Sequence, residues 1–363
     1  MPYRVCVYAI CKNEEGFADR WMDSMEEADR VVVADTGSTD RTTEKLRARG
    51  AEVFAEAVRP WRFDEARNRS LAHVPGDADI CVCTDLDEVF NKGWREKLEH
   101  AWTPDAGLAR YFYNWRVKPD GSPDVQFVYE KIHARKDYRW VHPVHEVLAY
   151  SGRAEQKAVW AEGVVLSHYP DPSKSRGQYL PLLELSAKEN PQDSSTVFWL
   201  GREYFFHKRY DDAIRTLEEH LKLPSARWEE ERCASMRFLA RCFMEKGDVP
   251  CARAWLYRAV AESPHLREPY WETAQAAYRW QEWPLVYGMA CKGLECRRPS
   301  GSYLSEPEAW SGALHDLRAI ACWHLGLYAQ AERDAAAALA FHPDNARLRA
   351  NFRVIHERLI DEV

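Results

Sequence analysis

Between Val82 and Phe90 the chain reads VCTDLDEVF, an apolar run from Ile80 to Cys83 that delivers Asp85, Asp87 and Glu88 almost side by side. Carboxylates this close raise one another's pKa unless a cation offsets their repulsion. If the strand runs on through them, Asp85 and Asp87 share a face. Oxygen ligands of that kind suit Mg²⁺ or Mn²⁺ held together with substrate phosphates. A solvated acidic turn, or an aspartyl nucleophile for phosphoryl chemistry, would present the same letters. Place along the chain has to separate these readings.

The elements that lead to the acidic stretch alternate strand and helix. Strands are expected at Arg4 to Cys11, from Arg30 into the ADTGSTD turn, at Ala51 to Ala57 and at Ala78 to Thr84. Amphipathic stretches intervene, one to about Glu27 and one from Asp64 through His73. Ser38 or Thr39 is placed to cap the helix after the second strand. Such spacing predicts parallel βαβ units with ligands at the carboxyl ends of the strands. Beyond Gly93 the pattern becomes mixed β, through GLARYFYNWRV, VQFVYEKIHARK and KAVWAEGVVLSHY. The acidic pair therefore closes the fourth strand. The aspartyl nucleophile of haloacid-dehalogenase phosphatases, whose D-x-D-x-[T/V] motif DLDEV fits, closes the first.

The segments AICKNEEG, VVVADTGSTDRT, WRFDEARNRSL and DADICVCTDLDEVF, in this order, resemble a family-2 glycosyltransferase. More narrowly they are similar to the branch that carries C-terminal tetratricopeptide repeats. The resemblance implies a GT-A nucleotide-diphospho-sugar transferase domain at about 1–175, with a nucleotide-sugar donor across the strand ends, a UDP-sugar favoured. It implies that Lys12, Asn13 and Glu14 line the nucleoside pocket and that Asp35 accepts from base or ribose. Many members have two acids at that place, whereas this chain has Asp35-Thr36. Arg67 is implied beside the base or diphosphate, and Asp64 either contacts the donor or caps its helix. Asp85 approaches ribose or metal, and Asp87 ligates a Mn²⁺ or Mg²⁺ ion. That ion would neutralise charge on the departing diphosphate.

Inverting transfer also needs a base for the acceptor hydroxyl. RWVHPVHEVL offers His142, His145 and Glu146, with His145 or Glu146 expected as base or orienting group. LSHYPDPSKSR follows the last strand; His168 is the candidate third metal ligand, and Lys174 and Arg176 are candidate diphosphate clamps. Trp115 and Trp140 fall where acceptor loops are expected, although most tryptophans belong in cores.

From about Gln178 strands give way to helical periodicity, and three segments align by their small residues. Leu200, Gly201, Tyr204, Ala213 and Leu217 recur as Leu239, Ala240, Phe243, Gly247, Ala252 and Leu256. They recur again as Ala319, Cys322, Gly326, Ala331, Ala335 and Ala338. A degenerate copy is expected around Tyr270 to Gly293, with a short insertion before the last. This predicts an all-α tetratricopeptide-like solenoid over 176–363, suited to presenting a peptide, protein or glycan acceptor or to self-association as a homo-oligomer.

Composition bounds the rest. A net charge of -7 with no long basic run places nucleic acid low among partners. Ten cysteines without a CxxC pair suit a reducing compartment rather than a zinc site. No apolar run approaches the roughly 20 residues of a membrane span, and Met1-Pro2-Tyr3-Arg4 leads straight into a strand, so a cytoplasmic protein is expected. Three alternatives remain: the phosphatase, a repeat scaffold with a decayed first domain, and a sugar-nucleotide pyrophosphorylase. The last would need a Gly-rich, Arg-containing loop where CKNEEG stands.

Overall fold

The computed structural model describes residues 3–171 and 177–360 and divides into two compact units, Met1–Ser186 and Ala187–Val363. The first unit opens with β1 (Val5–Cys11), α1 (Ala18–Met25), β2 (Arg30–Asp35), α2 (Thr42–Ala48), β3 (Glu52–Ala55), α3 (Phe63–His73) and β4 (Ile80–Cys83). Every residue of β1 and β4 is buried, as strands covered on both faces require. α1 buries Ala18, Trp21, Met22 and Met25, the spacing of a single helix face turned to the sheet. There follow β5 (Glu88–Phe90), α4 (Trp94–Ala101), β6 (Leu108–Val117), β7 (Pro123–Ala134), β8 (Tyr138–Val141), β9 (Val147–Tyr150), β10 (Ala158–His168) and α5 (Tyr179–Glu189).

One sheet runs in the order β3-β2-β1-β4-β7-β6-β10-β5, and β8 and β9 form a separate hairpin. β3, β2, β1 and β4 are parallel, with Cys11 beside Asp35 and Tyr8 beside Cys83, so their carboxyl ends share one edge. The strand order reverses at β1, where ligands of open α/β sheets bind. Two antiparallel strands then carry further side chains to that edge. β7 pairs with β4 at Val82–Ile132, and β10 pairs with β5 so that His168 faces Glu88. The sheet is mixed and mainly parallel, as the GT-A resemblance implies.

Three details differ from the sequence expectation. β4 ends at Cys83, and Asp85 to Asp87 lie in a turn closed by the Glu88 amide donating to the Asp85 carbonyl at 3.0 Å. The acidic pair therefore leaves the pleat, and Leu86 between them is buried. Ser38 and Thr39 cap nothing: α2 starts later, and its first amide, of Thr42, donates to Asp40 Oδ1 at 3.0 Å. β5, α4 and β8 carry no signal read from the sequence; β5, at three residues, is too short to show a period, whereas β9 is the strand expected directly after His145-Glu146.

The second unit stacks four helical hairpins: α6 (Ser194–Phe206) with α7 (Tyr210–Lys222), α8 (Glu229–Glu245) with α9 (Val249–Glu262), α10 (Glu268–Arg279) with α11 (Trp283–Glu295), and α12 (Ala313–His324) with α13 (Tyr328–Phe341). α14 (Ala346–Ile360) packs on α13. Each hairpin turn uses one residue with positive φ, respectively Lys208, Gly247, Gln281 and Gly326. Ala213, Ala252 and Ala331 are fully buried where helices cross. A Cβ on Gly201 would sit 2.6 Å from Leu217 Cγ, so the first crossing admits nothing larger. The degenerate copy is hairpin α10–α11, and the insertion is the segment joining α11 to α12. This is the tetratricopeptide-like solenoid expected from the small-residue spacing. Among the described residues no helix is long and apolar enough to cross a membrane.

Candidate active site

Arg67 organises the carboxyl edge of the sheet. α3 brings it there with 4% exposure. Its Nη1 pairs with Asp85 Oδ1 at 2.8 Å, and its Nη2 donates to Asp85 Oδ2 at 3.1 Å. Its Nε donates to Glu146 Oε1 at 2.5 Å, and its guanidinium lies 5.2 Å from the Trp140 ring centroid. A second cation, Lys131 on β7, donates to Asp85 Oδ2 at 3.1 Å and Glu88 Oε1 at 3.4 Å. Burial alone would raise the pKa of Asp85, but Arg67 and Lys131 outweigh it and hold the carboxyl well below the usual range. Burial would lower both cations; the same carboxylates, Asp85 foremost, instead hold Arg67 and Lys131 well above their ordinary values. Glu88 goes the other way, raised by burial, while Tyr113 donates to its Oε1 at 2.7 Å.

Asp87 points elsewhere, toward His168, whose Nε2 lies 3.4 Å from Asp87 Oδ2. The Asp87 carbonyl accepts from the Tyr169 amide at 2.8 Å, which ties the end of β10 to the acidic turn. His168 stacks on Trp115, with ring centroids 4.6 Å apart. Burial would lower its pKa, but the hydrogen bond it donates to the Asp87 carboxylate prevails and raises it. Beside this pair opens a cleft of about 700 Å³ walled by Trp115 to Pro119, Gly121 and His168 to Pro170.

The expected nucleoside residues divide by role. Asp35 is buried at the end of β2 and accepts from the Ser38 amide at 3.0 Å. Lys12 is exposed and follows directly on Cys11, the β1 residue that lies beside Asp35. Asn13, at φ 55°, clips the loop after β2: its amide donates to Ser38 Oγ at 2.9 Å and its Oδ1 accepts from the Thr39 amide at 2.7 Å. Glu14 is buried, and its amide donates to Thr42 Oγ1 at 2.7 Å. Asp64 lies one residue inside α3 and receives Arg62 Nε at 3.0 Å and Nη2 at 2.8 Å. It is not the helix cap; that place belongs to Arg62. His145, at φ 52°, sets its ring edge against Tyr179, and Glu146 is engaged by Arg67. Lys174 and Arg176 lie outside the described residues.

Two tryptophans part company. Trp140 is 2% exposed and donates to Tyr8 Oη at 2.8 Å, so it belongs to the core beneath Arg67. Trp115 is 42% exposed beside the cleft. Lys131 escaped the sequence reading, although a signal existed. The β7 register shifts between Tyr129 and Ile132, so Ile132 joins Phe127 and Tyr129 on one apolar face and period-two counting misplaces the lysine, but a lysine buried among these aromatics still needs a counter-charge.

Among the described residues no three His, Cys, Asp or Glu side chains converge as a complete metal site. Asp87 and His168 do form a carboxylate–imidazole pair. An ion held there would complete its shell with substrate oxygens, a donor set compatible with Mn²⁺ or Mg²⁺. Both oxygens of Asp85 are already engaged by cations, so it is placed to buttress rather than to ligate. An aspartyl-phosphate at Asp85 would have to free it from Arg67 and Lys131 first.

Residues 6–150 match the family model described as Glycosyl transferase family 2, so the N-terminal region carries a domain of that family. The chain is 26% identical over 285 residues to a TPR repeat-containing protein of Synechococcus elongatus, covering 72% of this chain and 66% of that one. It is 30% identical over 98 residues to an uncharacterized glycosyltransferase of Rickettsia bellii, covering 27% of this chain and 32% of that one. The chain thus spans less than two thirds of the length of each of these relatives. Solved structures similar to it include MamA (17% identity, TM-score 0.38, 49% of this chain and 99% of that one). Another is the chain of the APC/C Cut9–Hcn1 hetero-tetramer (14%, TM-score 0.39, 50% and 33%).

Proposed function

We propose that the glycosyl transferase family 2 domain is a metal-dependent, inverting transferase that moves a sugar from a nucleotide donor, a UDP-sugar favoured, to an acceptor hydroxyl. The observation that carries this reading is the convergence of Asp87 and His168 beside the cation-buttressed Asp85 at the carboxyl edge of the sheet. Asp35 and the loop clipped by Asn13 would receive the nucleoside. Asp85, kept ionised by Arg67 and Lys131, would accept hydrogen bonds from the ribose. Asp87 and His168 would hold the divalent ion against the diphosphate, and the ion, when bound, supplies positive charge to the leaving group.

On the acceptor side, the carboxylate of Glu146 is engaged by Arg67, so its part is to orient the loop that presents His145. His145 takes the acceptor proton in this scheme. The cleft walled by Trp115 lies next to the metal pair and offers an aromatic face on which a sugar or peptide acceptor would rest. The helical unit would recruit a peptide, protein or glycan as the acceptor. The test is release of nucleoside diphosphate from a panel of UDP- and GDP-sugars with Mn²⁺. His145→Ala is expected to lower kcat by about 10²–10⁴-fold while leaving donor binding intact. Unchanged turnover would remove His145 from the base role.

A further inference from the structure

The segment joining α11 to α12 does more than connect. Successive hairpins elsewhere are linked by a few residues, whereas this link runs from Cys296 to Gly312 and contains a single turn of 3₁₀ helix at Pro307–Trp310. It reaches back across helices far earlier in the chain. Ser300 and Ser302 donate through Oγ to Glu230 Oε2 at 2.9 and 2.5 Å. Tyr303 stacks on Trp199 of α6, centroids 5.3 Å apart, and meets Trp228 edge-on at 5.5 Å. Leu304 packs on the Phe198, Leu217 and Phe238 cluster. Glu306 accepts from Arg237 and, at 2.8 and 3.1 Å, from Arg241, both on α8.

The segment thus lies on the first helices of three hairpins as a peptide ligand would, and its side chains are of two kinds. An aromatic ring enters a tryptophan-walled slot. Three residues later a carboxylate meets two arginines. Arg237 is nearly fully buried, and the other carboxylate serving the arginine pair is Glu272 of α10. Without Glu306 two guanidiniums would share one carboxylate, a cationic floor in a partly desolvated groove that demands another anion.

We propose that this face of the helical unit is a docking groove for an acidic protein segment with an aromatic side chain three residues before a glutamate. Residues 300–306 are its internal occupant, which an incoming segment must displace. The docked segment reproduces the contacts of Tyr303 and Glu306, so affinity depends on the strap's own hold. Weakening the strap opens the groove, and the arginine pair reads the incoming carboxylate.

The probe is a fluorescently labelled peptide PSGSYLSEP, the sequence of residues 299–307, titrated by polarisation against the full chain. Glu306→Gln keeps the strap's shape but removes its charge, and is expected to bind the peptide at least tenfold more tightly than wild type. Adding Arg241→Ala, or replacing the peptide's glutamate by glutamine, should abolish that gain. Equal binding by wild type and Glu306→Gln, or equal binding of the two peptides, overturns the proposal. Should Glu306→Gln fail to fold, hydrogen exchange on wild type decides. Amides of 300–306 exchange faster as peptide is added if the groove is shared, and a rate that does not move in large excess of peptide overturns it.

Discussion

The two units each bury a network of arginines and carboxylates, yet the networks occupy opposite kinds of place. In the first unit Arg67, Lys131, Asp85, Glu88 and Glu146 gather where parallel strands end, and Asp85 keeps a side-chain exposure of 31% toward solvent. In the second, Arg237, Arg241, Glu272 and Glu306 sit on helix faces, and the chain closes over them with its own connecting segment. Charge density and burial are similar. Access and topology differ. A buried ion-pair network therefore does not by itself mark a reaction centre; what distinguishes the first is its place at the strand-order reversal beside an open cleft and the Asp87–His168 pair.

The largest effects should come from breaking either network on one side. Arg67→Met leaves Asp85 and Glu146 without their shared guanidinium and should cost about 3–5 kcal/mol in denaturant unfolding, with loss of nucleotide binding. Arg237→Met should cost a similar amount, about 3–5 kcal/mol, while the first unit keeps its nucleotide binding. Loss of nucleotide binding in a folded Arg237→Met protein would dissolve the distinction between the two.

Acid should separate the units next. His133 is fully buried: Tyr8 Oη lies 2.7 Å from Nε2, and Nδ1 faces the Ala134 carbonyl at 2.7 Å. That geometry places the proton on Nδ1, and burial pushes the ring down to about 4. An unfolded histidine titrates near 6.5. As pH falls below that value the unfolded chain takes up a proton that the folded chain refuses until about pH 4. Stability of the first unit therefore drops by about 3 kcal/mol across that window and levels off below it. In the second unit, Asp334 is held down to about 2: burial opposes this, but His315, Arg318 and Gln330 prevail. Its contribution, present above the ordinary carboxylate value, is lost only as pH falls through that range. Unfolding curves at pH 7 and 4.5, with His133→Gln as control, should show the first unit weakening and the control flattening the response.

A smaller effect probes the repeat geometry. Gly201→Ala brings a methyl against Leu217 and should destabilise the second unit by about 1–3 kcal/mol, without changing nucleotide binding by the first.

Much of this arrangement was legible from local pattern. The parallel strands of the first unit announce themselves as apolar runs, and the hairpins of the second as recurring small residues at crossings that exclude larger ones. The acidic stretch was visible, but its geometry was not. The backbone leaves the strand at Thr84, so Asp85 turns to Arg67 and Lys131 while Asp87 turns to His168. Period-two reasoning cannot foresee a turn whose shape is set by partners from α3, β7 and β10. Glu146 looked like a free base because its partner Arg67 is 79 residues away. Trp140 falls by sequence in an acceptor-loop segment, but its indole N–H donates to the buried Tyr8 hydroxyl and makes it core. The strap over the second unit was visible only as an irregular repeat interval, since contacts between residues so far apart leave no local period.

In the proposed reaction Asp87 and His168 together hold a divalent ion against a donor diphosphate. Calorimetric titration of UDP and GDP into wild type, Asp87→Asn and His168→Ala, with Mn²⁺ and with chelator, tests it directly. Mn²⁺-dependent binding of one nucleotide to wild type is expected, with its loss in both variants and folding unchanged. Binding that is equally tight with chelator, or that survives Asp87→Asn at wild-type strength with Mn²⁺, would contradict it.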